Sequence, residues 1–213
     1  MNILQGAVWI NEFHYDNVSS DTSEFIEIAC NADVNMAGYQ LVLYNGNNGE
    51  SYMTETLSGS CSLSTDSFLI VDLAGIQNGS PDGIALVDPS GAVIEFISYE
   101  GSFTAVGGWA DGMTSVDVGV VESGSTPVGH SLQLIGDGCN RIDFSWQAPT
   151  ADSKGRINDN QTISCVSENM NSALCCCYSS MEIIHIYNTE NSILVRALPL
   201  VNHFTGIRFS ICI

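Results

Sequence analysis

Apolar and polar positions alternate with a period of two along most of the chain, and the first clear case is the stretch from Val8 to Ile28. A β-branched and aromatic run, Val8-Trp-Ile-Asn-Glu-Phe-His-Tyr15, precedes the turn formers Asp16-Asn-Val-Ser-Ser-Asp-Thr-Ser23. The run Glu24-Phe-Ile-Glu-Ile28 follows, with Phe25, Glu27 and Ala29 on one side and Glu24, Ile26 and Ile28 on the other. Glu24 and Glu27 are expected to accept hydrogen bonds at the rim of a sheet, because a buried carboxylate must be paired. Gly38 to Tyr44 alternates almost ideally, and Asn45-Gly-Asn-Asn-Gly49 turns it into a more polar strand, Ser51 to Leu57, expected at a sheet edge. Phe68 to Val71 is short and wholly apolar. Ile84–Val87 and Ala92–Ile97 flank Asp88-Pro-Ser-Gly91, a tight turn in which proline sets φ and glycine closes the hairpin. Residues 98–125 lack periodicity, with Trp109 as the expected anchor. Ser131–Ile135 and Phe144–Trp146 are the last strands before a loop that ends near Asn158.

Short strands, Gly-rich turns and no amphipathic helical period predict an all-β sandwich of antiparallel strands. The domain is expected over residues 1–160. Residues 161–213 read as a Cys-rich C-terminal extension, separable from it and without the Gly/Asp turns of the earlier part. Within the extension, Met181–Tyr187 and Ser192–Leu198 have strand character and could pair as a hairpin. No internal repeat of fixed period occurs.

Charge narrows the partners. The net charge is −19, and no Lys or Arg precedes Arg141; the five basic residues are Arg141, Lys154, Arg156, Arg196 and Arg208. Such a surface repels phosphate backbones and anionic membranes, so no nucleic-acid partner is expected. It suits solubility first, and after that cation binding or a basic partner. No apolar run reaches the length of a membrane span.

Eight cysteines point to an oxidising compartment, hence an extracellular or cell-surface location. The opening Met1-Asn-Ile-Leu-Gln-Gly-Ala has neither the charged start nor the long apolar core of a signal peptide. Cys30 and Cys61, each just beyond a strand, are the expected disulfide. Three sequons, at Asn17, Asn78 and Asn160, are candidate glycosylation sites.

Six segments resemble the lamin tail domain superfamily, in the form found in bacterial and algal extracellular proteins. They are Ile10-Asn-Glu-Phe-His-Tyr-Asp-Asn17, Glu24-Phe-Ile-Glu-Ile28, Gly38-Tyr-Gln-Leu-Val-Leu-Tyr-Asn45, Gly79-Ser-Pro-Asp-Gly-Ile-Ala-Leu-Val87, Glu122-Ser-Gly-Ser-Thr-Pro-Val-Gly129 and Phe144-Ser-Trp146. The resemblance spans residues 8–158 and omits the extension. It implies an immunoglobulin-like β-sandwich and a non-catalytic binding or targeting module of an extracellular or surface protein. It also admits an accessory fragment of a secreted nuclease- or phosphatase-type hydrolase. An intracellular structural or interaction protein is the third alternative.

Catalytic signatures are missing: there is no Gly-x-Ser-x-Gly elbow, P-loop, His-Glu-x-x-His or dinucleotide fingerprint, so no catalytic residue is assigned. His14 is expected to hydrogen-bond to backbone at a strand end. Adjacent Cys175, Cys176 and Cys177 lack zinc-site spacing. Asp16, Asn17, Asp21 and Glu24 supply hard oxygens within one loop and are the candidate Ca2+ ligands; ordinary turn chemistry is the competing explanation. No other cofactor is expected.

Overall fold

The computed structural model describes residues 8–63, 67–165, 181–189 and 192–199, the last two by backbone alone. The chain divides into two units, Met1–Val166 and Ser167–Ile213.

The first unit is a β-sandwich. Its first sheet runs β12 (Ser145–Ala151), β11 (His130–Gly138), β1 (Val8–His14), β2 (Phe25–Cys30) and β7 (Leu69–Asp72), with β13 (Gln161–Ile163) added parallel to β11. The second runs β10 (Val116–Asp117), β9 (Val93–Tyr99), β8 (Asp82–Val87), β4 (Gln40–Asn45) and β5 (Ser51–Thr56). All pairings are antiparallel except the short additions β13 and β10. A two-stranded patch pairs β3 (Val34–Asn35), in the connection from β2 to β4, with β6 (Ser60–Cys61), on the crossover from β5 to β7. Among the described residues there is no α-helix; Arg141–Asp143 makes a single 3-10 turn.

The core between the sheets takes one face of each strand: Ile10, Phe13 and Tyr15; Ile26 and Ile28; Leu41 and Leu43; Ile84 and Leu86. In β1 the inward residues skip from Ile10 to Phe13, and a bulge there absorbs the extra residue. The Ile10 N–H donates across the sandwich to Glu95 Oε2 of β9 at 3.0 Å, and Arg141 Nε holds Glu95 Oε1 at 2.7 Å. The bulge also turns Asn11, Glu12 and His14 to the outer face of the first sheet.

Cys30 and Cys61 are disulfide-bonded with Cα atoms 6.0 Å apart, tying β2 to β6. A second bridge joins Cys139 to Cys165. That bridge and β13 draw residues 161–165 into the first unit, which runs to Val166. Of the apolar run Phe68 to Val71, Leu69 to Val71 lie in the edge strand β7, where Ile70 is exposed.

In the second unit, β14 (Met181–Thr189) and β15 (Ser192–Pro199) pair antiparallel as their own two-stranded sheet. Cys175, Cys176 and Cys177 lie outside the described residues.

Candidate functional site

The outer face of the first sheet holds a cluster of buried ionisable groups. Glu12 of β1 and Glu27 of β2 are cross-strand neighbours, and both are fully buried. Residues 152–161 lie over them as a strap. Glu12 Oε1 accepts from Ser131 Oγ at 2.6 Å and from Ser153 N at 2.9 Å, while Ser153 Oγ donates to Oε2 at 2.8 Å. Glu27 accepts from Asn11 Nδ2 at 3.1 Å and from Gly155 N at 2.6 Å. Asn158 Nδ2 donates to the carbonyls of Asn11 and Leu134 at 3.1 and 2.9 Å, and Gln161 Nε2 donates to Asn11 Oδ1 at 2.8 Å. The strap thus binds through the donors that these acids and backbone carbonyls require. Burial pushes Glu27 up to about 8, against the lowering effect of its two donors. Burial likewise raises Glu12. Glu27 is therefore not a rim residue: it sits in mid-sheet, flanked by β1 and β7, and its pairing comes from the strap.

One turn further on, His14 lies between Glu122 and Asn17. Its Nδ1 stands 2.9 and 3.0 Å from the two Glu122 oxygens, and its Nε2 is 3.1 Å from Asn17 Oδ1. Asn17 is fixed in this orientation, because its Nδ2 donates to Val18 O and Ser20 O at 2.9 and 3.0 Å while its Oδ1 accepts Thr22 N at 3.0 Å. Both ring nitrogens therefore face acceptors, which only an imidazolium satisfies. Burial pulls the His14 pKa down, but the hydrogen bonds and charge of Glu122 and Asn17 outweigh it and the net shift is upward. Glu122 also accepts Tyr15 N at 2.6 Å and Asp16 N at 3.0 Å. His14 thus bonds to the side chains of Glu122 and Asn17 as well as to the Thr22 backbone, and neither nitrogen has a free lone pair with which to act as a base.

The loop expected to hold Ca2+ is organised instead around Asn17. Asp21 Oδ1 accepts Asn17 N at 3.3 Å, and Asp21 Oδ2 accepts Asn78 Nδ2 at 3.2 Å. Glu24 points elsewhere, its Oε2 accepting Gly75 N at 2.8 Å. Asp16 remains near Asp21; burial first, then the Asp21 charge, raises its pKa. Among the described residues, no group of three or more His, Cys, Asp or Glu side chains is placed to hold a metal ion. Turn chemistry accounts for the loop.

Asn17 is also wrong for glycosylation in this fold: it is fully buried and both amide hydrogens are engaged, leaving no room for a glycan. Asn78 and Asn160 are exposed. The recess beside the Cys30–Cys61 bridge, lined by Leu63, Phe68 and Ile163, has room for little more than one water molecule. No helix among the described residues is long and apolar enough to cross a membrane.

The outer face of the second sheet has no comparable polar network. Val42, Tyr44, Ala85, Val87 and Phe96 form an apolar layer there, which the loop of residues 103–115 covers with Phe103, Ala105 and Ala110. Tyr44 OH accepts Ala110 N at 3.1 Å, a polar anchor beneath this cover. Trp109 sits on top, half exposed; its ring lies against Gly91. It anchors the loop from outside and not from the core.

The strap and the His14 clamp are what reading the sequence misses. The available signal was the density of Asn, Ser and Glu at strand positions that face away from the core. Compared with known family models, curated proteins and solved structures, the chain matches none.

Proposed function

We propose that the sandwich is a non-catalytic, lamin-tail-like binding or targeting module of an extracellular or surface protein. The observation that carries this reading is the saturation of its reactive groups. His14, Glu12 and Glu27, the side chains best suited to acid–base chemistry, are buried and spend their hydrogen bonds on the fold. The two disulfides fit an oxidising compartment. The segments that carry the lamin-tail resemblance, Asn11-Glu12 and Glu24-Phe-Ile-Glu27, supply the acids and the amide beneath the strap, which suits a shared scaffold better than a shared active site.

The test is a turnover assay of the full chain on nuclease and phosphatase substrates, with and without added divalent metal, beside His14→Ala and Glu12→Gln. The expected result is no turnover by any of the three. Turnover by the parent that either variant abolishes would overturn the reading.

A further inference from the structure

The loop of residues 103–115 is closed by its own backbone: Ala105 N donates to Met113 O at 2.9 Å, Gly112 N to Ala105 O at 2.9 Å and Met113 N to Ala110 O at 2.8 Å. Asp111 Oδ1 caps the tip through Gly107 N at 2.7 Å. With Ala105 and Ala110 committed to the layer below, the loop presents Val106, Trp109 and Met113 to solvent, 54%, 52% and 40% exposed.

Trp109 is held in place. One part of its ring rests on Gly91, where an added Cβ would come within 2.3 Å, and Nε1 donates to Gln40 Oε1 at 2.8 Å. Only glycine fits there, since φ is +88° and the indole occupies the side-chain space. An aromatic group already immobilised gives up little entropy when a partner covers it. Its exposed neighbours are apolar, and the rim is acidic: Asp111 on the same loop, Asp88 in the turn that ends at Gly91, and Glu50, which bridges to Val106. Residues 1–140 contain no Lys or Arg, and Arg141 and Lys154 are engaged by Glu95 and Asp72. An indole with acids around it and apolar side chains beside it matches one side-chain chemistry above others: a cation on an aliphatic stem.

We infer that Trp109, Val106 and Met113 form the docking surface for a basic polypeptide segment, whose Arg or Lys stacks on the open part of the indole within reach of Asp88, Asp111 and Glu50. This names the partner class for the binding module and rests on that reading. A neutral sugar would use the indole but not the acidic rim, and an anionic chain would be repelled by the rim.

The test is calorimetric titration of the full chain with a capped poly-arginine peptide at low and at raised salt. Poly-glutamate and a neutral oligosaccharide serve as controls. Trp109→Ala, Trp109→Phe and Asp159→Asn, the last on the strap over the other sheet, are compared after their melting temperatures are matched to the parent. Poly-arginine is expected to bind the parent, more weakly as salt rises. Trp109→Ala should lose about tenfold in affinity and Trp109→Phe less, as expected for a cation–π contact. Asp159→Asn should bind like the parent. Equal binding by Trp109→Ala and the parent would overturn the inference and assign the affinity to diffuse charge. So would absence of poly-arginine binding, or preferential binding of the oligosaccharide. None of these results touches the turnover assay, which decides the module reading separately. If Trp109→Ala fails to fold, the Trp109→Phe loss and the control ligands decide.

Discussion

The outer face of the first sheet and that of the second are both roofed by irregular chain, one through hydrogen bonds and the other through apolar contact. Over the first sheet, residues 152–161 bring donors to Glu12 and Glu27. Over the second, residues 103–115 bring Phe103, Ala105 and Ala110 to Phe96, Val42 and Val87. A polar roof fixes register, since each donor must meet its acceptor, but it buries acids and makes stability depend on protons. An apolar roof is indifferent to pH and tolerates sliding, so it needs a few polar pins such as Ala110 N to Tyr44 OH. The polar roof uses its functional groups internally, while the apolar one leaves an indole free on its outer side.

The largest expected effect comes from breaking the clamp that continues the polar roof. Glu122→Ala removes the acceptor of His14, Tyr15 N and Asp16 N at once and leaves a buried cation unpaired. A loss of about 3–5 kcal/mol is expected in denaturant unfolding. A loss below about 1 kcal/mol would mean that water replaces the carboxylate, and the site is open.

On the apolar side, Phe96→Ala should cost about 3 kcal/mol by cavity formation and leave the pH dependence of unfolding unchanged. If that variant altered the pH profile, the two roofs would be coupled and the contrast between them lost.

The pH profile itself separates the roofs. Glu12, Glu27 and His14 all have pKa values in the folded state above their ordinary ones. The folded state therefore binds more protons than the unfolded chain, and stability falls as pH rises. For Glu27 the contribution is complete below about 4.5 and is lost as pH rises through about 8. That of His14 is complete below 6.5 and is lost above it, through the raised value. Melting temperature should decline across this window in the parent and decline less in Glu27→Gln. A rise with pH over the same window would contradict the protonated strap.

The smallest effect is at the seat of the indole. Gly91→Ala demands a left-handed φ of an alanine and drives its Cβ into the ring, at a cost of about 1–2 kcal/mol. The displaced Trp109 should show faster fluorescence quenching by acrylamide than in the parent; unchanged quenching would mean that the indole is not held there.

The strands were legible because their period of two survives in the sequence: Tyr39, Leu41 and Leu43, or Ile26 and Ile28, name a core face without help. The turn Asp88–Gly91 was legible too, as Gly91 N donates to Asp88 O at 3.0 Å. The bulge at Asn11 left a trace, the skip from Ile10 to Phe13, but a single skip also fits an irregular strand end. The strap left no trace of its own, only the polar strand positions that it covers. Ser153, Gly155 and Asn158 read as an ordinary loop, and their partners Glu12, Asn11 and Glu27 lie more than a hundred residues away. Pairing of Cys139 with Cys165 was hidden for a different reason: the two are only 26 residues apart, but eight cysteines allow many connectivities and neither residue stands beside a strand that the sequence marks as its partner's neighbour. Asp16, Asn17, Asp21 and Glu24 are near in sequence, yet Asn17 spends its amide on the turn and Glu24 turns toward Gly75. Proximity along the chain keeps Asp16 beside Asp21 but does not bring Glu24 to them.

The claim that the acids of β1 and β2 serve the fold and not solvent-facing chemistry is tested most directly by NMR titration of the Glu27 side-chain carboxyl carbon in the folded protein. The expected midpoint is about 8, with the Gly155 amide shift following the same curve, since that N–H donates to the same carboxylate at 2.6 Å. A midpoint near the ordinary value of 4.5, or a Gly155 amide that ignores the titration, would place water at Glu27 and contradict the strap as a structural lock.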